Sequence, residues 1–191
     1  MITLFLFMAF QTMWFDTFIP KEIVDLIERD CRDYEDSALV AQVRSGVNLN
    51  TRDSKTSWIP QSHWIGGFCM SYVLKANRDN YQYDITDIDG GEMQYTIYGP
   101  GQYYNWHIDA GIDSLEEGCV RKLSFILQLS EPDEYAGGEV QLLNEQDKMY
   151  ILPKRRGTFC VFDSRTKHRV RPIKSGTRKS LVGWVNGPRW K

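Results

Sequence analysis

Three histidines, His63, His107 and His168, are all that the 191-residue chain offers for imidazole chemistry. His107 and Asp109 stand two apart in Tyr103-Tyr104-Asn105-Trp106-His107-Ile108-Asp109-Ala110-Gly111. Residues two apart in a strand point to one face, so this spacing sets an imidazole beside a carboxylate. His168 opens a later β-like run, preceded by Phe162-Asp163-Ser164. Two imidazoles and one carboxylate make up the facial ligand set of non-haem Fe(II) sites, which keeps coordination positions open for a co-substrate and oxygen. Zinc accepts the same ligands, and such triplets also arise by chance. On these residues alone, a hydrogen-bonded strand histidine and a surface histidine stand as the competing reading.

Arg178 adds a second kind of chemistry. It begins the last apolar run, Thr177-Arg178-Lys179-Ser180-Leu181-Val182-Gly183-Trp184. A hairpin through Lys174-Ser175-Gly176-Thr177 is expected to bring it back beside the His168 strand. There its guanidinium would offer a bidentate fork to a carboxylate, with the Ser180 hydroxyl on the same face. His63, near a helix start, reads as structural. Arg44, Arg52, Trp58 and Trp64 are candidates for a substrate groove, with surface or packing roles as the alternative. The pairs Gly90-Gly91 and Gly137-Gly138 lack the G-x-G-x-x-G frame of a phosphate loop and read as turn glycines.

Strands and turns must position these groups. After Gly90-Gly91 the chain breaks into β-like runs at 94–98, 103–108, 122–129, 139–143, 149–152, 158–162, 168–173 and 178–185. Turn residues such as Gly99-Pro100-Gly101 and Glu131-Pro132-Asp133 separate them. Before Gly90 the pattern predicts two packing helices. One follows Pro20 over 21–31, with Ile23, Ile27 and Cys31 at four-residue intervals. The other covers 62–76, with Ile65, Phe68/Cys69, Tyr72 and Ala76 on one face. The expected architecture is mainly β with supporting helices (α+β), built on a double-stranded β-helix or jelly-roll core. It is read as a single domain over 1–191, in which a helical N-terminal support region, 1–90, packs on a core at 91–188.

Composition narrows the class. With 42% hydrophobic and 25% charged residues, the chain fits a globular protein and no disordered or collagen-like class. No apolar run reaches the length of a membrane span. The apolar opening 1–10 lacks a basic region and a cleavage site, and Met8 and Met13 are possible alternative starts. The four cysteines, Cys31, Cys69, Cys119 and Cys160, show no C-x-x-C. Reduced, mostly buried thiols in a cytoplasmic protein are therefore expected. The net charge of −2 hides a split: residues 1–147 carry 10 basic and 24 acidic side chains, residues 148–191 carry 13 and one. Basic clusters at Lys154-Arg155-Arg156 and between Arg165 and Arg171 raise a nucleic-acid or acidic-peptide face, with a solvated face as default. In a jelly roll, late strands pair with early ones, so interleaving of the two charge segments in one domain is the preferred reading.

Several of these motifs occur together in the order of a known family. Tyr98-Gly99-Pro100-Gly101-Gln102-Tyr103-Tyr104-Asn105-Trp106-His107-Ile108-Asp109 is followed by Leu129-Ser130-Glu131-Pro132-Asp133-Glu134-Tyr135-Ala136-Gly137-Gly138-Glu139, Phe162-Asp163-Ser164, His168, Arg178 and Trp184. From residue 94 to 188 the chain resembles the Fe(II)/2-oxoglutarate-dependent oxygenases, in particular the prolyl-4-hydroxylase-like, PKHD-type branch. The resemblance implies that His107, Asp109 and His168 bind Fe(II), and that Arg178 pairs with the distal carboxylate of 2-oxoglutarate. It implies co-substrate or active-site contacts for Tyr98, Ser180 and Ser124, and a pocket wall at Trp184. Where some relatives carry a tyrosine against the distal carboxylate, this chain has Gln128. In the family, O2 and 2-oxoglutarate become succinate and CO2 while an unactivated C–H bond is hydroxylated, with ascorbate as reductant. A peptide or protein substrate, most simply a peptidyl proline, is the leading expectation. The same chemistry on nucleic acid and a non-catalytic jelly-roll binding module are the alternatives.

Overall fold

Alternation along the C-terminal strands builds the architecture. The computed structural model describes residues 12–42, 46, 48–110 and 118–190; the opening 1–10 and Arg44 lie outside them. Among the described residues ten strands follow Gly90-Gly91: β5 (Glu92–Tyr98), β6 (Tyr103–His107), β7 (Cys119–Gln128), β8 (Tyr135–Gly137), β9 (Val140–Leu143), β10 (Met149–Ile151), β11 (Phe159–Asp163), β12 (His168–Val170), β13 (Ile173–Gly176) and β14 (Arg178–Pro188). Four more precede them: β1 (Thr12–Phe15), β2 (Leu39–Val40), β3 (Arg52–Asp53) and β4 (Lys55–Pro60). The helices are α1 (Lys21–Arg32) and α2 (Trp64–Ala76). A seven-stranded sheet, β1-β11-β7-β14-β5-β4-β2, lies against a five-stranded one, β10-β9-β12-β6-β3, and β8 pairs with β13 as a separate ribbon. The jelly-roll expectation agrees with this two-sheet, mainly β arrangement.

The central strands of the larger sheet, β11, β7, β14 and β5, divide their residues between two cores. Leu123, Phe125 and Leu127 of β7 pack with Val24, Ile27, Cys69 and Val73 of the helices. Ile126, between them in sequence, joins Tyr98, Phe162, Val140 and Leu142 in the layer between the sheets. The period-2 geometry of strands produces this sorting. It also aims Gln94, Thr96, Tyr98, Arg178, Ser180, Val182 and Trp184 at one cavity between the sheets. Gly183, on the helix-facing side of β14, is required there: a Cβ would lie 2.3 Å from Phe125 Cζ.

Two sequence expectations need amendment. The region before residue 91 is not only helical support. Its strands extend both sheets, β4 pairing with β5 from Lys55↔Ile97 to Pro60↔Glu92, and β3 with β6. β3 (Arg52-Asp53) has no apolar residue and β4 only Trp58 and Ile59 as large ones, so their signal comes from their partners more than from their own alternation. The run 168–173 is also two strands. Pro172 lacks a donor for the ladder, and the chain leaves β12 there and enters β13 on a different ribbon. No helix among the described residues is long and apolar enough to cross a membrane.

The charge split is resolved in part by pairing across the chain. Arg156 forks to Asp25 and Glu28 of α1, 2.7 Å each, and also donates to Leu129 O. Lys179 reaches Glu35 at 2.7 Å, and Arg155 lies 3.8 Å from Asp16. The basic C-terminal segment thus clamps the acidic N-terminal one. Cys31, Cys69 and Cys160 are buried, Cys119 is half-buried, and no disulfide links them.

Candidate metal centre and anion pocket

His107 closes β6 and His168 opens β12, and the two are direct register partners. Their rings lie 4.1 Å apart. Each ring is oriented by its Nδ1: that of His107 faces Asn105 O at 2.7 Å, that of His168 faces Thr166 O at 2.9 Å. A carbonyl only accepts, so the proton sits on Nδ1 and the Nε2 lone pairs are left to converge. They meet the Asp109 carboxylate, with His107 Nε2 3.6 Å from Oδ1 and His168 Nε2 3.4 Å from Oδ2. One donor atom from each residue lies within 4.8 Å of the other two.

Strand period alone does not place Asp109, because β6 ends at His107. Its backbone N–H donates to Ser164 O at 2.9 Å, while Ser124 Oγ donates to Asp109 Oδ2 at 2.7 Å. Ser164 Oγ in turn sits 2.9 Å from Ser124 Oγ. The segment Phe162-Asp163-Ser164 thereby has its purpose: Ser164 anchors the Asp109 backbone and the Ser124 hydroxyl, and Phe162 packs edge-on against His168 at 4.8 Å. Tyr104, which the sequence reading did not single out, stacks on His107 with centroids 3.6 Å apart. Burial first, and then the neighbouring His168, pushes the His107 imidazole down to about 3, so it is neutral at physiological pH. Burial works against ionisation of Asp109, but the two imidazoles and the Ser124 hydroxyl outweigh it and hold this carboxyl below its ordinary range. Lone pairs on neutral nitrogen and an ionised oxygen are the state that accepts a divalent cation.

Arg178 reaches the same cavity by a route different from the expected hairpin. β14 pairs with β5 and β7 in the larger sheet, with Arg178 opposite Tyr98. It therefore faces the triad across the sandwich rather than from a neighbouring strand, since β13 carries the chain from one sheet to the other. Only 1% exposed, Arg178 donates to Gln128 Oε1 at 2.9 Å and Ser180 Oγ at 3.2 Å. Both partners are neutral, and the buried Nε has no acceptor among the described residues. A buried guanidinium held only by neutral groups fits a carboxylate of 2-oxoglutarate. Gly138 makes room for it, as a Cβ there would lie 3.2 Å from Arg178 Cδ and 2.4 Å from Ile173 Cδ1. Tyr135, present in a quoted motif but assigned no role, stands beside the guanidinium.

The remaining expected positions divide. Tyr98 and Trp184 line the cavity. Gln128 positions Arg178 from behind, and Ser124 positions Asp109, so neither occupies the wall. Of the groove candidates, Arg52 lines the cavity, and Trp58 stands 6.3 Å from Trp184 by ring centroids. Trp64 lies elsewhere, bonded to Asp30. His63 caps α2 by accepting from Ile65 N at 3.4 Å, a structural role.

Residues 93–186 match the model of the 2OG-Fe(II) oxygenase superfamily. A PKHD-type hydroxylase from Picosynechococcus is 38% identical over 94 residues, which cover 49% of this chain and 41% of that relative. The chain thus matches about two fifths of the length of this curated relative. Among solved structures, a Pseudomonas putida prolyl-4-hydroxylase superposes with a TM-score of 0.73, covering 94% of this chain and 93% of its own, at 24% identity. A Trichoplax adhaerens prolyl hydroxylase in complex with a hypoxia-inducible-factor peptide gives 0.76, covering 92% and 83%, at 18% identity. Both share the fold.

Proposed function

Because residues 93–186 match the model of the 2OG-Fe(II) oxygenase superfamily, we propose that the chain is an Fe(II)- and 2-oxoglutarate-dependent dioxygenase hydroxylating a peptidyl proline. One observation carries this reading: three convergent donor atoms and a buried, carboxylate-free arginine share a single cavity. His107, Asp109 and His168 would hold Fe(II), and Arg178 the distal carboxylate of 2-oxoglutarate. When bound, this pair supplies the oxidation, converting O2 and 2-oxoglutarate to CO2 and succinate while a substrate carbon gains a hydroxyl. Asn105 O and Thr166 O fix the ligand tautomers, and Ser124 fixes the Asp109 carboxylate. Ser180 and Gln128 hold the Arg178 fork in one orientation before any ligand arrives. Ile126, Phe162, Val170 and Val182 keep the cavity wall apolar and exclude water.

A peptide is preferred to a nucleic acid because several residues of the basic segment are already paired with this chain's own carboxylates. The PKHD-type relative and the peptide-bound prolyl hydroxylase neighbour support the same choice. Ascorbate as reductant, a cytoplasmic location and one folded unit over 12–190 belong to this proposal. Purified protein with Fe(II), ascorbate, 2-oxoglutarate and candidate peptides should release succinate and add one oxygen to a peptide, read by mass spectrometry. Asp109→Ala should abolish both. Absence of succinate with every peptide and lysate tried would refute the proposal.

A further inference from the structure

Arg52 is the second arginine buried in the cavity, 4% exposed against 1% for Arg178. Eight other described arginines have a carboxylate oxygen within 4.0 Å. Arg52 and Arg178, the two most buried, have none among the described residues. Arg52 instead donates Nε to Ser54 Oγ at 2.9 Å and Nη2 to Gln94 Oε1 at 2.7 Å, and lies over the Tyr104 ring at 4.7 Å. Desolvating a guanidinium against neutral partners alone is costly, and a protein keeps such an arrangement where an anion completes it.

The position says which anion. Tyr104 contacts both Arg52 and the metal-site histidine, stacking on His107 at 3.6 Å. The two ring distances bound the gap from the Arg52 guanidinium carbon to the His107 ring centre at about 8 Å. Trp184, which lines the same cavity, carries a buried indole N–H without an acceptor among the described residues. On the reading that Arg178 takes the co-substrate, we propose that Arg52 binds a carboxylate of the substrate, a few bonds from the carbon that reacts. The substrate is then a proline whose own terminal carboxylate, or an adjacent acidic side chain, enters the cavity with it.

Two matched pairs test this by tryptophan fluorescence titration of the protein loaded with Mn(II) and 2-oxoglutarate without oxygen, and again metal-free. The pairs are N-acetyl-L-proline with N-acetyl-L-prolinamide, and a capped Pro-Glu peptide with its Pro-Gln twin. Wild type should bind the charged member of at least one pair ten-fold or more tightly than the neutral one, and the pair identifies the carboxylate's source. Arg52→Gln should reduce that ratio below two-fold, while Arg52→Lys keeps part of it. Gln94→Glu, which gives Arg52 an internal carboxylate with little change of shape, should do the same and covers the case in which Arg52→Gln fails to fold. The 2-oxoglutarate affinity should move less than two-fold in each. Equal binding of both members in wild type, an unchanged ratio in Gln94→Glu, or joint loss of 2-oxoglutarate binding would overturn the assignment. Failure of Mn(II) and 2-oxoglutarate to bind at all would instead sink the dioxygenase reading, with the metal-free ratio still deciding the role of Arg52.

Discussion

Replacing Arg178 with methionine separates a ligand-binding arginine from a structural one. In the metal-free chain the side chain is 1% exposed and is held by Gln128 and Ser180, with Tyr135 beside it and no carboxylate partner among the described residues. Methionine removes the buried charge and fills similar space, but leaves Gln128 Oε1 without that donor, at a cost of about 1–3 kcal/mol. Removing a poorly compensated charge offsets this, so stability without ligand should change by no more than about 2 kcal/mol. Ligand binding should respond differently. Losing one partner of a buried charge pair costs about 3–5 kcal/mol, a fall in 2-oxoglutarate affinity of roughly two orders of magnitude or more. At a concentration a hundred times the wild-type Kd, ligand stabilises the fold by about 2.7 kcal/mol. With Kd raised a hundred-fold, the same concentration leaves about 0.4 kcal/mol. For a chain of this length 1 kcal/mol is roughly 2–4 °C in Tm, so a shift of about 5–11 °C should shrink to about 1 °C. Thermal unfolding with Mn(II), with and without 2-oxoglutarate, measures both quantities in one series. A variant that loses many degrees without ligand yet keeps the ligand-induced shift would refute the anion-pocket assignment.

Ser124→Ala removes the 2.7 Å hydrogen bond to Asp109 Oδ2, and should weaken Mn(II) binding by about ten- to a hundred-fold while the metal-free Tm moves little; titration followed by electron paramagnetic resonance reads the affinity. His107 has a folded-state value of about 3, below its unfolded value near 6.5, so its contribution to metal-free stability is present above about pH 6.5 and lost as pH falls towards 3. By pH 4 the loss is roughly 3 kcal/mol, and His107→Asn should flatten that part of a Tm-against-pH curve. Gly183→Ala places a Cβ 2.3 Å from Phe125 Cζ and should cost about 1–3 kcal/mol by urea unfolding, with Phe125→Leu in the same chain recovering part of it.

Residues whose roles depend on local spacing were legible in advance. The alternation of β5, β7, β11 and β14 follows from side chains two apart sharing a face, and it anticipates that Ser124, Ile126 and Gln128 point one way. The helix faces were read less well. On α1 it is Val24 rather than Ile23 that is buried with Ile27 and Cys31, and on α2 Val73 rather than Tyr72. The strands β2 and β3 are only two residues long and β4 has just Trp58 and Ile59 as large apolar residues, so they become strand only against a partner elsewhere in the sequence.

The sequence by itself determined the chemistry available: three histidines, one of them two residues from an aspartate, and an arginine opening the last strand. It also determined which residues of each strand share a face, because that depends on backbone geometry alone. Only the tertiary structure decided what those faces meet. Arg178 looks at the candidate metal site from the opposite sheet, since the chain crosses sheets between Pro172 and Arg178 instead of turning back on itself. Arg52 joins the cavity through a two-residue strand that pairs with β6, fifty residues away in sequence. Long-range antiparallel pairing sets both positions, and no local spacing encodes which distant strands will pair.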